Sequence, residues 1–428
     1  MAGAGLTAGV VAAQESEDFQ ARVQGAYIVQ HKPAFAAAYS GARSLSPLAE
    51  RSYSFTTTAL LGWRAWRGGE LYLNPELAQG VPLSGLTGLG GFSNGEATRA
   101  SGAQLSAYRA RAFLRQTWGA GGETERVDSD LNQLAGTVDR RRLVLTVGNL
   151  SVLDVFDDNS YSHDARTQFL NASLVTHGAY DYAADARGYS WGAALEYFDG
   201  DWAIRAGRFA QPREPNQQAL DPRIGSRYGD QIEIERAHRI ADRPGRLRLL
   251  VFRNQAVMAS YRDALARAQL EGGVPDLATV RSGLRAKRGI GLNLEQELVP
   301  GVGLFARAMR ADGGTETHAF TEIDQSRSLG VVVQGGRWGR PADTVGLALA
   351  RNALSSTHRE YLAAGGLGFF VGDGRLTYGA ERIAEVFYRL SAGAGLWLTL
   401  DHQRIVRPAY NADRGPVSVT SLRVQFAY

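Results

Sequence analysis

The sequence predicts an all-β fold: a transmembrane antiparallel β-barrel of about sixteen strands, with short turns at one end and long loops at the other. Three observations carry this reading. Stretches of about ten residues alternate between apolar and polar, long enough to cross a bilayer at a tilt. The links between them alternate between short and long, as in outer-membrane barrels with both termini periplasmic. The last residue, Tyr428, is aromatic and closes an amphipathic strand.

The strands begin near Phe19, Ser52, Glu70, Tyr108, Arg142, Ser190, Trp202, Gln231, Gly245, Arg288, Val302, Ser326, Thr344, Glu381, Leu396 and Val417. The last is the cleanest: Leu422, Val424, Phe426 and Tyr428 share one face, and Ser421, Arg423, Gln425 and Ala427 the other. This period of two defines a strand with one apolar face. Tight links are expected around Gly68 and at 199–201, 241–244, 299–301 and 391–395. Long links are expected at 31–51, 80–107, 151–189, 210–230, 256–287 and 354–380. The stretch 119–141 breaks the pattern, being too long for a tight turn. Within 256–287, Met258, Tyr261 and Leu265 stand at helical spacing, which predicts a partly helical loop packing on its own barrel.

Composition removes several other classes. The 428 residues hold 51 glycines and no cysteine, which excludes disulfides, thiolate zinc sites and a cysteine nucleophile. No apolar run approaches the roughly 18 residues of a membrane helix. Of 47 basic residues only Lys32 and Lys287 are lysine, and the net charge of +4 is small. The run Arg140, Arg141 and Arg142 reads as a solvated turn, and no nucleic-acid module or basic stripe is present. Residues 1–13 (MAGAGLTAGVVAA) read as the remnant of an export signal ending in small residues, and 14–428 as a single barrel domain.

Energetics assigns the faces. An arginine at mid-membrane on the lipid side costs about 2–4 kcal/mol. Arg109, Arg111 and Arg115 are therefore expected to line the lumen, as are Glu233, Glu235, Asn293, Glu295, Glu297, Arg307, Asp401, Gln403 and Arg423. Substituting Arg109 or Arg111 is expected to change conductance or ion selectivity and leave folding intact. Closure satisfies every edge hydrogen bond, which lipid cannot do. Trp63, Trp66, Trp118 and Trp202, near strand ends, suit an aromatic girdle. The link 151–189 stands where general porins fold a loop into the lumen, and it offers Asp154, Asp157, Asp158, Tyr161, Asp181 and Asp185 as constriction residues. Opposed acids and arginines polarise such a site, and aromatic faces beside hydrogen-bonding groups suit a neutral polyol.

Catalytic motifs fail on context. Gly91-Phe92-Ser93-Asn94-Gly95 matches the nucleophile-elbow pattern, but glycines precede it and no helical period follows. The seven histidines form no His-x-x-x-His pair. No catalytic residue, metal or cofactor is expected.

Several blocks, in order and at similar spacing, resemble the OprB-type carbohydrate-selective porins of Gram-negative outer membranes. They are 67–80 (RGGELYLNPELAQG), 112–119 (AFLRQTWG), 132–136 (NQLAG), 143–171 with its LTVGNLSVLDVFDDNSYSHD core, 181–197, 385–390 (EVFYRL) and 398–417 (LTLDHQRIVRPAYNADRGPV). The resemblance implies a sixteen-stranded outer-membrane channel for passive, facilitated diffusion of small sugars. It also implies a pore narrowed by arginines and acids, and insertion by the barrel assembly machinery through the C-terminal strand. The expected partners are small sugars and outer-membrane lipid, with no nucleic acid. The competing readings are a general or anion-preferring diffusion porin without sugar selectivity, and a plugged adhesive or enzymatic barrel.

Overall fold

The computed structural model describes residues 16–100 and 102–428; the expected signal remnant at 1–13 lies outside them. The strands are β1 (Phe19–Lys32), β2 (Glu50–Trp66), β3 (Gly69–Val81), β4 (Ser106–Gly119), β5 (Thr124–Val127), β6 (Gly136–Asp139), β7 (Arg142–Leu150), β8 (Ser190–Asp199) and β9 (Trp202–Ala210). They continue as β10 (Tyr228–Ile240), β11 (Arg243–Val257), β12 (Leu284–Val299), β13 (Val302–Ala311), β14 (Gln325–Gln334), β15 (Thr344–Ala353), β16 (Glu381–Gly393), β17 (Leu396–Val406) and β18 (Val417–Ala427). Three helices lie in links: α1 (Ala172–Val175), α2 (Tyr261–Glu271) and α3 (Ser356–Ala363).

Every strand except β5 and β6 enters one closed antiparallel barrel of sixteen strands. Closure pairs the first strand with the last, from Gln24 opposite Ala427 to His31 opposite Thr420. The barrel therefore has no free edge, which is the condition for crossing lipid on strands. Two-residue turns join β2 to β3, β8 to β9, β10 to β11, β12 to β13 and β16 to β17 at one end. The long links gather at the other, apart from the nine residues 335–343 between β14 and β15, which stay at the short-turn end. The exception foreseen at 119–141 holds a small hairpin, β5 paired with β6. The foreseen helical loop is α2, whose Tyr261 ring stacks on His358 of α3 at 4.1 Å and 17°.

Outside, the alternation leaves a belt of exposed apolar side chains, among them Leu73, Leu195, Ile232, Leu249, Leu292, Leu347, Leu349 and Leu400. So much contiguous apolar surface is untenable in water and ordinary in hydrocarbon. Trp63, Trp66, Trp118 and Trp202 stand exposed at the short-turn rim, where indole rings suit the membrane interface.

One strand departs from simple alternation. Pro75 of β3 has no N–H to give to the ladder. Opposite it, Arg109 pairs with Pro75 and Arg111 with Asn74, so Ala110 is an extra, bulged residue. The Asn149 side chain donates to the freed Ala110 carbonyl at 2.8 Å. The bulge flips the face: Arg109 points outward, its guanidinium 5.0 Å from the Trp191 ring, while Arg111 points inward. The lumen expectation for Arg109 is thus corrected, because period two does not survive an inserted residue.

Candidate functional site

The barrel interior is not an open tube. Residues 151–189 fold into it, and irregular buried backbone there needs hydrogen-bond partners that strands do not offer. Side chains of the wall supply them. Glu233 accepts from Asp157 N at 2.9 Å, Glu295 from Ser160 N at 2.6 Å, and Glu385 from Leu170 N and Asn171 N at 2.5 and 3.0 Å. Arg423 donates to the Ala165 and Gln168 carbonyls at 2.6 and 2.9 Å. Gln403 accepts from the Asn171 side chain at 3.1 Å and donates to Asp401 at 3.3 Å. Glu235 takes Arg205 and Arg248 at 3.2 and 2.7 Å.

Asp157 is the tightest anchor. One carboxylate oxygen accepts from Arg307 Nε at 2.9 Å and Asn293 Nδ2 at 2.6 Å; the other accepts from Thr176 Oγ1 and His177 N, both at 2.7 Å. Burial alone would raise this carboxyl, but Arg307, His177 and Thr176 hold it well below the usual range. Burial pushes the adjacent His177 imidazole down to about 4. Asp181 does the same work nearer the long-loop end, accepting from Lys287 Nζ at 3.2 Å and from the N–H groups of His318, Ala319 and Phe320 at 2.8–2.9 Å.

Apolar contacts complete the seat. Phe169 of the loop packs against Phe305 and Phe387 of the wall at 5.6 and 4.9 Å. Those rings lie over Gly330 and Gly346, where a Cβ would sit only 2.3 and 2.2 Å from ring carbons. Glycine is required there so that the rings can lie flat on the neighbouring strand.

These ties change what the interior residues are for. Glu233, Asn293, Glu295, Arg307, Asp401, Gln403 and Arg423 face inward but are buried under the loop, and Glu235 is nearly so. As lining of an open lumen they are corrected: Glu233, Asn293, Glu295, Arg307, Gln403 and Arg423 bond the loop directly, while Asp401 bonds Gln403 and Glu235 bonds the wall residues Arg205 and Arg248. Alternation reports which side of the wall a residue faces, not what covers it. Asp157 and Asp181 are likewise buried anchors rather than constriction residues, and Asp185 shapes a local turn by accepting from Arg187 N and Tyr189 N at 2.9 and 3.1 Å. Tyr161 and Glu297 line a second space of about 310 Å³ on the opposite side of the loop.

The loop is held mainly by β10–β18, and Arg166 also ties it to Thr58 of β2 and Glu76 of β3; the passage runs between it and β1, β2 and β4. It is a cavity of about 450 Å³ lined by β1, β2 and β4, by residues of 95–99, by the inner loop, and by residues 130–133 of the connection between β5 and β6. Arg111 and Asp154 meet across it in a bidentate pair, both contacts 2.6 Å. Asp158, its side chain 53 % exposed, faces the same space. Burial at Asp154 and partial desolvation inside the barrel at Asp158 would raise the two carboxyls, but Arg111 at Asp154, and His163 and Arg248 at Asp158, hold them below the ordinary value. Arg115 lies 5.2 Å over Tyr72, whose ring stacks on Phe113 at 4.9 Å. Arg99 donates to the Tyr189 hydroxyl at 2.6 Å. Glu76 and Glu96 bridge Arg99 and Arg166 at 2.8–3.3 Å, stitching the 82–105 link, the inner loop and β3 together.

Arg99, Arg166, Arg187, Glu96, His163 and Tyr189 are passage residues that sequence reasoning missed. Most sit in links with no periodicity to report their direction. Glu76, beside them, carried a usable signal, since Glu70, Tyr72, Asn74 and Glu76 alternate with Leu71, Leu73 and Leu77 on β3. Ser93 of the elbow-like motif is buried inside the barrel, its hydroxyl donating to Gln30 Oε1 at 3.1 Å.

Known proteins share this architecture. OprB of Pseudomonas putida in its high-pH structure superposes with a TM-score of 0.73 at 15% identity, covering 96% of this chain and 94% of that one. Its low-pH structure gives 0.51 at 13% identity, over 96% and 93%. The outer-membrane channel DcaP of Acinetobacter baumannii gives 0.56 at 7% identity, over 96% and 97%. At such identities the likeness is one of fold. No curated protein sequence matches the chain. The model of the family described as "Carbohydrate-selective porin, OprB family" matches residues 49–428. On that match, across most of its length, the chain belongs to the carbohydrate-selective porin family OprB.

Proposed function

We propose that the protein sits in the outer membrane of a Gram-negative bacterium, long loops outward and turns periplasmic, and lets small neutral carbohydrates diffuse through the passage beside β1, β2 and β4. The observation that carries this is the balance of the lining. Arg99, Arg111, Arg115, Arg166 and Arg187 face Glu96, Asp130, Asp154, Asp158 and Asp164 across the same space. A passage with matched numbers of opposed charges, some of them paired, offers a neutral polyol many donors and acceptors and gives little net field to draw an anion. Tyr189 and Tyr182 add aromatic faces against which a sugar ring packs. Nothing in this mechanism consumes energy or requires a cofactor. Sugars and outer-membrane lipid are the partners of this reading, with the barrel assembly machinery engaging β18 during insertion.

Liposome swelling with a monosaccharide, a disaccharide and an amino acid of similar size tests it. Sugar entry faster than size predicts is the expected result. Entry ordered by size alone would make it a general diffusion pore, and no swelling would make it a plugged barrel.

A further inference from the structure

The outer surface carries a second charged feature that the passage does not use. Toward the long-loop ends of β13–β17, Arg310, Arg327, Arg351, Arg382 and Arg404 all point outward and are exposed. Their placement is at odds with ordinary sheet pairing. Arg327 is directly opposite Arg351, and Arg351 directly opposite Arg382, so three like charges stand in a row across adjacent strands. Directly opposed like charges destabilise a sheet, and lipid makes arginine costlier still away from the interface. Among the described residues none of the five forms an ion pair; Arg404 donates only to the Ser418 hydroxyl at 2.9 Å. The acids of the same strands, Glu381, Glu385 and Asp401, face inward.

Below the arginine row the surface is grooved. One groove of about 390 Å³ has Leu329, Leu349 and Ala384 along its floor, with Arg327, Arg351, Arg382 and Arg404 at its margin. Another of about 350 Å³ runs between Ile290, Leu292 and Ala308, with Arg310 and Arg327 beside it. A fixed cationic row above apolar channels is the complement of a molecule with an anionic head and hydrocarbon chains.

We propose that the outer face of β13–β17 seats a phosphate-bearing lipid of the outer leaflet, its phosphates on the arginine row and its chains in the grooves. This rests on the membrane orientation proposed above. Bound phosphate turns the row's mutual repulsion into shared attraction, and the guanidinium fork suits phosphate better than an ammonium would.

The test uses the full chain purified in neutral detergent and native mass spectrometry with added diphosphorylated lipid A or phosphatidylcholine. Each basic residue near an anionic lipid surface contributes about a fivefold gain in affinity, so the triple variant R327Q/R351Q/R382Q should lose roughly a hundredfold in lipid A affinity. Phosphatidylcholine binding should be the weaker and should not change. Equal retention of the two lipids, or unchanged lipid A binding by the variant, overturns the proposal. So does complete displacement by millimolar inorganic phosphate, which would make the row a site for soluble anions. A dimer that the variant dissociates overturns it in favour of a second copy. Arg351→Gln alone, with Arg351→Lys as the charge-keeping control, serves if the triple variant does not fold. Single-channel conductance is read in parallel and should be unchanged. Its absence in the unaltered protein would defeat the channel reading without touching the lipid result.

Discussion

Arg109 and Arg111 are two positions apart on β4, and their substitutions should behave differently. Arg111 pairs with Asp154 across the passage, whereas Arg109 lies outside over Trp191. Arg111→Gln removes a cation from the lining and frees the Asp154 carboxylate, so the reversal potential in a salt gradient should shift toward cations. Arg109→Gln should leave conductance and reversal potential unchanged. A shift of equal size in both would mean that the bulge at Ala110 is misplaced. Alternation alone made these two residues equivalent. Only Pro75, a residue that cannot donate to a ladder, hints in the sequence that the register of β4 slips opposite it.

Among the elements, the inner loop is the one whose behaviour the anchors decide. Asp157→Ala leaves Arg307 buried without its carboxylate, a loss of about 3–5 kcal/mol for breaking a buried pair. The cost should fall on the loop rather than the barrel, seen as faster hydrogen exchange across 151–189 and larger, noisier currents while the barrel stays folded. Acid should loosen the same seat. His177 and Asp157 both have folded pKa values below their unfolded ones, so each contributes fully above its unfolded pKa and loses that contribution as pH falls. For His177 the window runs from about 6.5, the unfolded value, down to about 4. Loop opening, read as exchange divided by the intrinsic amide rate at each pH, should therefore rise between pH 7 and pH 4, and His177→Gln should remove most of the rise above pH 4. A flat profile would show that His177 is not buried neutral. Phe169→Ala, which empties the space between Phe305 and Phe387, should destabilise the loop by about 3–5 kcal/mol in the same measurement. The strands themselves were legible because a lipid-facing wall enforces period two. The loop's course was not, since an acid that ties down a loop and an acid that lines a pore occupy the same inward positions. Glu233, Glu295 and Arg423 illustrate this: the face was readable, the cover was not.

For the molecule as a whole, closure and the apolar belt set the stability. Leu349→Arg, on the outer face, should cost about 2–4 kcal/mol if it lies at mid-bilayer, lowering the folded fraction in heat-modifiability gels. Thr58→Ser, which keeps the hydroxyl bonded to Glu76 and Arg166, should leave that fraction nearly unchanged. Equal losses would argue against a membrane-embedded exterior. The expected fold class and the run of short and long links were readable from one sequence because both follow from the solvent: hydrocarbon outside, water inside, and no edge between them.

The off-centre passage has a further consequence for how such a channel diversifies. Two tasks that share one lumen in a simple tube are here given to different stretches of chain. Strands β10–β18 supply most of the braces; in the proposed function β1, β2, β4 and the inner loop would do the sorting. On the proposed function, substitutions at passage-facing positions between 95 and 189 would retune what passes, provided Asp157, Arg166, Phe169 and Asp181 stay in place to hold the loop. A grafted segment of that span is thus a natural unit for redesigning solute preference, and for lineages to trade one nutrient for another without rebuilding the wall.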